Sequence, residues 1–456
     1  MRAAVAAGHP ATVAAGIEIL EEGGSAADAA VAACLASCVA ETVMTGLLGG
    51  GHAIHWDGRE AVNLDCFVTV PSGTGAAPID LGVPFGETVV HYAVGPGTCG
   101  VPGLPAGLGV LWERFGRLPW TRLIEPALAL ARSGVVLPPA HASCLAMLEP
   151  VFTLSERGRA IHAPDGKLLE AGDVLAQPGL ATALEVLAAE GAAGVYRGTL
   201  AGALLRRVDG VPVTRADLKA YAPLWSAPAE ATLARHRFLT RGGLSGVPEA
   251  VGRLPRLAGL SETERVLALL AALEGSAPDG HTTNVSVVDS AGNACVLTTS
   301  LGLGTGDFLP GYDLHLNSML GEVDLHHGPL VVGERMESMM APSLGFDDDG
   351  LALAIGSAGG TRLRTALVGV AAAILDEGLE PVDAVNRPRF HPVGELVHAE
   401  PGVDETALAR LEEAGRVVRR WPAQHHYFGG VSVVGRRGST GDPRRSGHAA
   451  TLASDP

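Results

Sequence analysis

The chain has 456 residues, 47% hydrophobic and 18% charged, with 61 glycines, 30 prolines and a formal net charge of −16. That length supports one big domain or two, with a core of mostly Ala, Val, Leu and Gly because only 4% of residues are aromatic. The scattered acidic excess, without a basic stripe, excludes nucleic acid and anionic membrane as partners.

Residues 11–22 carry Val13, Ile17 and Leu20 at helical spacing after Pro10, which predicts a helix ending at Gly23-Gly24. Ser25, with Asp28 in the first turn, predicts the cap of a second, Ala-rich and buried helix. His52–Trp56 and Ala61–Asp65, joined by Asp57-Gly58, predict a β-hairpin. Gly49-Gly50-Gly51 lacks a following Lys-Ser/Thr, so it marks close backbone packing rather than a phosphate cradle. A Gly/Pro turn and two helices are expected over 96–136, and further helices over 176–222. The stretch 223–260 is poorly patterned, and its Gly/Pro-rich part from Arg241 reads as loop. Leu267–Leu273 reads as a short helix before the turn Ala277-Pro278-Asp279-Gly280.

At Thr282 the apolar period changes to two. Val285 and Val287 alternate with Asn284 and Ser286, and a turn over Asp289–Asn293 leads into Ala294–Ser300. This predicts a β-hairpin beginning at Thr282. SLGFDDDGLALAIGS predicts a further strand pair with an Asp-rich turn, followed by Gly359-Gly360 and a helix from Thr361. Helices before and after two strand blocks indicate an α+β fold, a four-layer helix–sheet–sheet–helix sandwich. The six cysteines (Cys34, Cys38, Cys66, Cys99, Cys144 and Cys295) show no metal spacing. Their even number permits disulfides, but a chain of this length does not need them. No uninterrupted apolar run of roughly 18 residues suggests a membrane span. The start carries no basic segment followed by an apolar one, so a cytoplasmic protein is expected.

Chemistry concentrates at Thr282. Were the bond before it cut, one residue would hold a hydroxyl nucleophile and an amine base within reach of each other. An α-amine with an intrinsic pKa near roughly 8 is partly neutral around physiological pH and can take the hydroxyl proton. Such chemistry needs no cofactor and no metal.

GIEILEEGGSAADAAVAA, LLGGGHAIHW, GVPGLPAGLGVLWERFG, EPALALARSG, VYRGTLAGAL, VTRADLKAYAP, TTNVSVVDSAGN, LNSML, GSAGGTR and NRPRFH occur in this order along the chain. Together they resemble the γ-glutamyltransferase (γ-glutamyltranspeptidase) family of N-terminal nucleophile hydrolases. The resemblance implies an αββα fold and a proenzyme that cuts itself between His281 and Thr282. A large subunit, 1–281, and a small subunit, 282–456, would then remain associated as one body. It also implies Thr282 as nucleophile, Gly359 and Gly360 as the oxyanion hole, and Ser300 at the place of a Thr that hydrogen-bonds the nucleophile. The substrate would be a small amide or peptide carrying a γ-glutamyl group.

The family's substrate-holding set is incomplete. Its carboxylate-binding Arg falls at Phe67, and its serine pair becomes Ser338-Met339. Its Asn falls at Gly302, its Gln at Met319 and its Asp at Glu322, leaving Ser338 and Glu322 as candidate substrate-binding residues. Phe67 cannot supply the two-pronged donor a carboxylate requires, so Arg335, Arg362 and Arg364 become candidate replacements. The short stretch between Glu322 and Ser338 predicts an open site. Three readings follow: a self-processing γ-glutamyl hydrolase or transferase, an acylase of other specificity, and a non-catalytic relative that keeps the scaffold.

Overall fold

The computed structural model describes residues 1–85, 88–274, 282–322, 325–326 and 328–452. Two antiparallel sheets form its centre. The first runs, in spatial order, through His448–Thr451, Ala4–Ala7, Thr283–Val288, Ala294–Ser300, Gly50–Trp56, Ala61–Cys66 and Leu224–Ser226. The second runs through Gly438–Gly441, Gly430–Gly435, Gly350–Ala358, Ser343–Asp347, His236–Thr240 and Ala229–Leu233. Both sheets therefore contain strands from before and after position 282. Thr283–Val288, in the middle of its sheet, pairs with Ala4–Ala7 on one side and Ala294–Ser300 on the other.

The strict alternation after Thr282 does not mark a solvated face, because both faces of the strand are covered. Val285 and Val287, with Cys295 and Leu297, pack on the helical layer through Val31 and Leu35. Val288, Ala294 and Val296 face the other sheet through Leu344, Ala354 and Val434. The polar members are buried at that same junction: Ser286 Oγ donates to Ser432 O at 2.9 Å. Here the sheets approach so closely that a Cβ on Gly356 would lie 1.9 Å from the Asn284 amide, so glycine is required for contact rather than for a turn.

The outer layers follow from helix signals near the chain's start and end. Pro10–Glu21 and Ala26–Ala40 lie on the first sheet, the latter with a Ser25/Asp28 capping box and every residue buried. Its small side chains let helix and sheet backbones approach closely. Arg362–Leu375 and Glu262–Leu273 cover the second sheet through Leu363, Leu367, Val370 and Leu270 against Ile355, Val431 and Val433. The four-layer αββα sandwich is thus present.

Most expected elements recur, with instructive differences. The helix expected at Leu267–Leu273 starts at Glu262 behind a Ser261/Glu264 capping box. The strand of the hairpin expected at Thr282 starts at Thr283, one residue later. The triple glycine serves close packing, since a Cβ on Gly51 would lie 2.5 Å from Thr298 O. The stretch 223–260 is a correction: it holds three strands and the helix Val247–Arg253. Ala229–Leu233 is an edge strand with exposed Glu230 and Thr232, so its pattern is too polar to stand out. The six cysteines are separate, buried thiols. No helix among the described residues is long and apolar enough to cross a membrane.

Candidate active site

Thr282 sits at the mouth of the central strand Thr283–Val288, where the first sheet meets the Gly359-Gly360 turn of the second. It borders two cavities. The first, with about 340 Å³ of open space, is lined by Thr282, Ser300, Gly302, Glu322, Ser338 and Gly360 among polar and small residues. Phe67, Met319, Leu325, Met339, Met340 and Leu363 supply the rest of its wall. Positions 67, 282, 300, 302, 319, 322, 338 and 360, separated by up to 293 residues in sequence (360 − 67), therefore meet in one place.

Each polar group there is held by local backbone geometry. Ser300 ends the strand paired with Thr283–Val288, and its Oγ accepts from Gly302 N at 3.0 Å. Ser338 Oγ accepts from Met340 N at 3.2 Å, and its carbonyl accepts from Arg241 at 2.6 Å. Gly302 has φ +69, and a Cβ there would lie 2.7 Å from both Glu322 Oε1 and Ser318 Oγ. Gly359 (φ +123) and Gly360 (φ +58) turn from the strand Gly350–Ala358 into the helix Arg362–Leu375. The turn is braced from the helix side by His391, whose two ring nitrogens lie 3.1 Å from Thr361 Oγ1 and 2.9 Å from Thr365 Oγ1. Burial holds the His391 imidazole well below its ordinary pKa, hence neutral.

The second cavity lies on the other side of Thr282 and is lined by Glu41, His141, Thr283, Asp442 and Arg445 among others. Glu41 Oε1 accepts from Thr12 Oγ1 at 2.6 Å, and Oε2 accepts from Thr283 Oγ1. Burial pushes the Glu41 carboxyl up to about 7, with the two threonine bonds and Arg445 opposing the rise. Arg445, itself buried, donates from Nη1 to Thr282 O at 3.5 Å and from Nη2 to His426 O at 3.4 Å. Neither Glu41 nor Arg445 is signalled by the sequence. One caps the end of an Ala-rich helix, the other follows a Pro-Arg pair near the C-terminus, and only the fold brings them to Thr282.

Some expected features are not brought together. None of Arg335, Arg362 and Arg364 lines the first cavity. Arg335 donates to Phe67 O at 3.1 Å and lies over the Tyr221 ring. Arg362 donates to Tyr427 O at 2.9 Å, and Arg364 to Leu273 O at 3.0 Å. Among the described residues, Glu322 is the only acidic or basic side chain in the lining. The stretch expected to leave the site open, between Glu322 and Ser338, includes residues outside the described ones, and Thr282 is 5% exposed in the uncut chain. His281, the other side of the expected cut, lies outside the described residues.

Residues 12–251 and 259–452 match the family model described as Gamma-glutamyltranspeptidase. The chain belongs to the gamma-glutamyltranspeptidase family. Two curated relatives are similar to it over most of its length. Acylase ACY 1 proenzyme from Pseudomonas sp. (strain SE83) is 27% identical, over 95% of this chain and 89% of the relative. Glutathione hydrolase proenzyme from Escherichia coli (strain K12) is 26% identical, over 88% of this chain and 83% of the relative. The crystal structure of cephalosporin acylase from Bacillus halodurans superimposes with a TM-score of 0.84 at 22% identity, over 100% of this chain and 96% of that one. This gamma-glutamyltranspeptidase-family chain thus shares its αββα fold with an acylase and is of the hydrolase and acyltransferase class.

Proposed function

We propose that the chain is a self-processing N-terminal threonine amidohydrolase or acyltransferase working through an acyl-Thr282 intermediate. The observation that carries this reading is the convergence of Thr282, Ser300, Glu322, Ser338 and Gly360 on one cavity at a strand mouth. A binding scaffold needs no such set, which weighs against the non-catalytic alternative. Both curated relatives are named proenzymes, in keeping with a cut between His281 and Thr282. The resulting segments, 1–281 and 282–456, stay together because each supplies strands to both sheets.

In the proposed reaction, the Thr282 α-amine takes the Oγ proton as Oγ attacks the amide carbon. The backbone N–H groups of Gly359 and Gly360 stabilise the oxyanion, a contribution worth ~3 kcal/mol per donor. Ser300 orients the Thr282 hydroxyl. The amine leaves with the proton, and water or an acceptor amine then takes the acyl group from Thr282. Glu322 and Ser338 hold the substrate.

The wall favours a second, narrower reading of specificity. Six apolar side chains surround the cavity, and no cation among the described residues lines it. A γ-glutamyl carboxylate placed there would lose its water without gaining a partner charge. Glu322 suits a protonated amine. The acyl group that fits best has an apolar stem and an ammonium, without a free carboxylate. The test is turnover of p-nitroanilides of γ-glutamate, of an ω-amino acid and of a plain fatty acid, with intact masses of the 282–456 segment recorded. Acyl adducts on that segment, greatest for the ω-amino acyl group, support the reading. Cleaved protein that acylates with none of them refutes it.

A further inference from the structure

The second cavity contains charged groups to which the reaction above assigns no task. Arg445 packs between the two halves of the proposed machinery. Its Nη1 lies 3.5 Å from Thr282 O, and its Nη2 would lie 3.0 Å from a Cβ on Gly359. Its Nε has no hydrogen-bond partner, and the side chain is 5% exposed. Across the same cavity Glu41 holds the hydroxyl of Thr283, the residue next to the nucleophile. Of the other titratable groups there, Asp442 is neutralised by Arg389 at 2.6 Å. His141 is kept uncharged, its pKa pushed down to about 3 by burial. Glu322 faces Thr282 from the first cavity, and Arg362 adds positive potential at Arg445 from the side.

We infer that Arg445 and Glu41 together set the basicity of the Thr282 α-amine, with Arg445 lowering it and Glu41, when ionised, restoring it. The inference rests on the proposed N-terminal threonine mechanism. A fixed cation within about 4–6 Å disfavours an ammonium and lowers its pKa, whereas a carboxylate at that range does the opposite. Arg445 is hydrogen-bonded to the carbonyl of Thr282 itself and Glu41 to the hydroxyl of the next residue, so both groups sit beside the residue that bears the amine. Arg445 thereby keeps the amine free to accept the hydroxyl proton near neutral pH. Both groups are positioning residues, since neither touches the reacting carbonyl.

The two substitutions have opposite consequences. The experiment follows acylation of Thr282 by p-nitrophenyl acetate against pH, by stopped-flow release of nitrophenolate and by intact mass of the 282–456 segment. Three variants are compared with wild type, Arg445→Met, Arg445→Lys and Glu41→Gln. The limb that reports amine deprotonation is expected to move up by about one pH unit in Arg445→Met and down in Glu41→Gln, and to stay near wild type in Arg445→Lys. Movement of both limbs in one direction, or loss of rate with no movement, overturns the inference. Arg445→Lys and Glu41→Gln decide the matter on their own if Arg445→Met does not fold. Absence of the Thr282 adduct in wild type refutes the nucleophile assignment itself, whereas a wild-type adduct with unmoved limbs in the variants refutes only the role of the pair.

Discussion

Gly302→Ala is a sharp test of how the first cavity is built. The glycine has φ +69, where a residue with a Cβ is strained by about 1–2 kcal/mol. The new methyl carbon would lie 2.7 Å from Glu322 Oε1 and from Ser318 Oγ, so at least one of these buried side chains must move. Displacing a buried polar group from its partners costs about 1–3 kcal/mol. The sum is a destabilisation of about 2–5 kcal/mol, measured as the shift of the urea unfolding midpoint at an unchanged slope. Because Glu322 would be pushed from its place in the wall, KM for an ammonium-bearing anilide should rise by roughly tenfold, equivalent to about 1.4 kcal/mol, with kcat much less affected. A variant within 0.5 kcal/mol of wild type (about the ordinary range for a surface substitution), with an unchanged KM, would refute both the strain and the placement of Glu322.

Gly359→Ala attacks the proposed oxyanion turn. A Cβ would lie 2.8 Å from Gly429 Cα at φ +123, so the turn must shift and kcat should fall by about 10²–10³, checked under saturating substrate. Glu41 gives stability an unusual pH dependence. Its folded pKa of about 7 exceeds its reference value of 4.5, so the folded state binds the proton more tightly. Stability from this group is therefore fully present below 4.5 and is lost as pH rises through about 7. At 1.36 kcal/mol per pH unit the loss is roughly 3 kcal/mol. Urea unfolding of wild type minus Glu41→Gln between pH 4.5 and 8 should show that decline; a flat difference would contradict it.

The parts of the fold legible in the sequence are those written locally. Ser25 with Asp28 gives the cap and start of the buried Ala-rich helix, and the two-residue period after Thr282 gives the central strand. His236–Thr240 is opaque by comparison, because burial of its Phe238 and Leu239 comes from a strand more than a hundred residues away. The site divides in the same way. Thr282, Ser300, Gly360, Glu322 and Ser338 follow from the family resemblance that the ordered motifs carry, and the first cavity unites them. Glu41 and Arg445 bear no local mark, since their importance comes from contacts across 242 and 163 residues. Arg335 misleads for the converse reason: its charge stands out in the chain, but Tyr221, Asp65 and nearby carbonyls already hold it.

The proposed mechanism depends on Thr282 liberating its own amine and then carrying the acyl group. Intact mass spectrometry of purified wild type beside Thr282→Ala tests it most directly. Two pieces meeting at 281/282 are expected in wild type and a single 46.5 kDa chain in the variant. An uncut wild type, or a variant cut at the same bond, would contradict it.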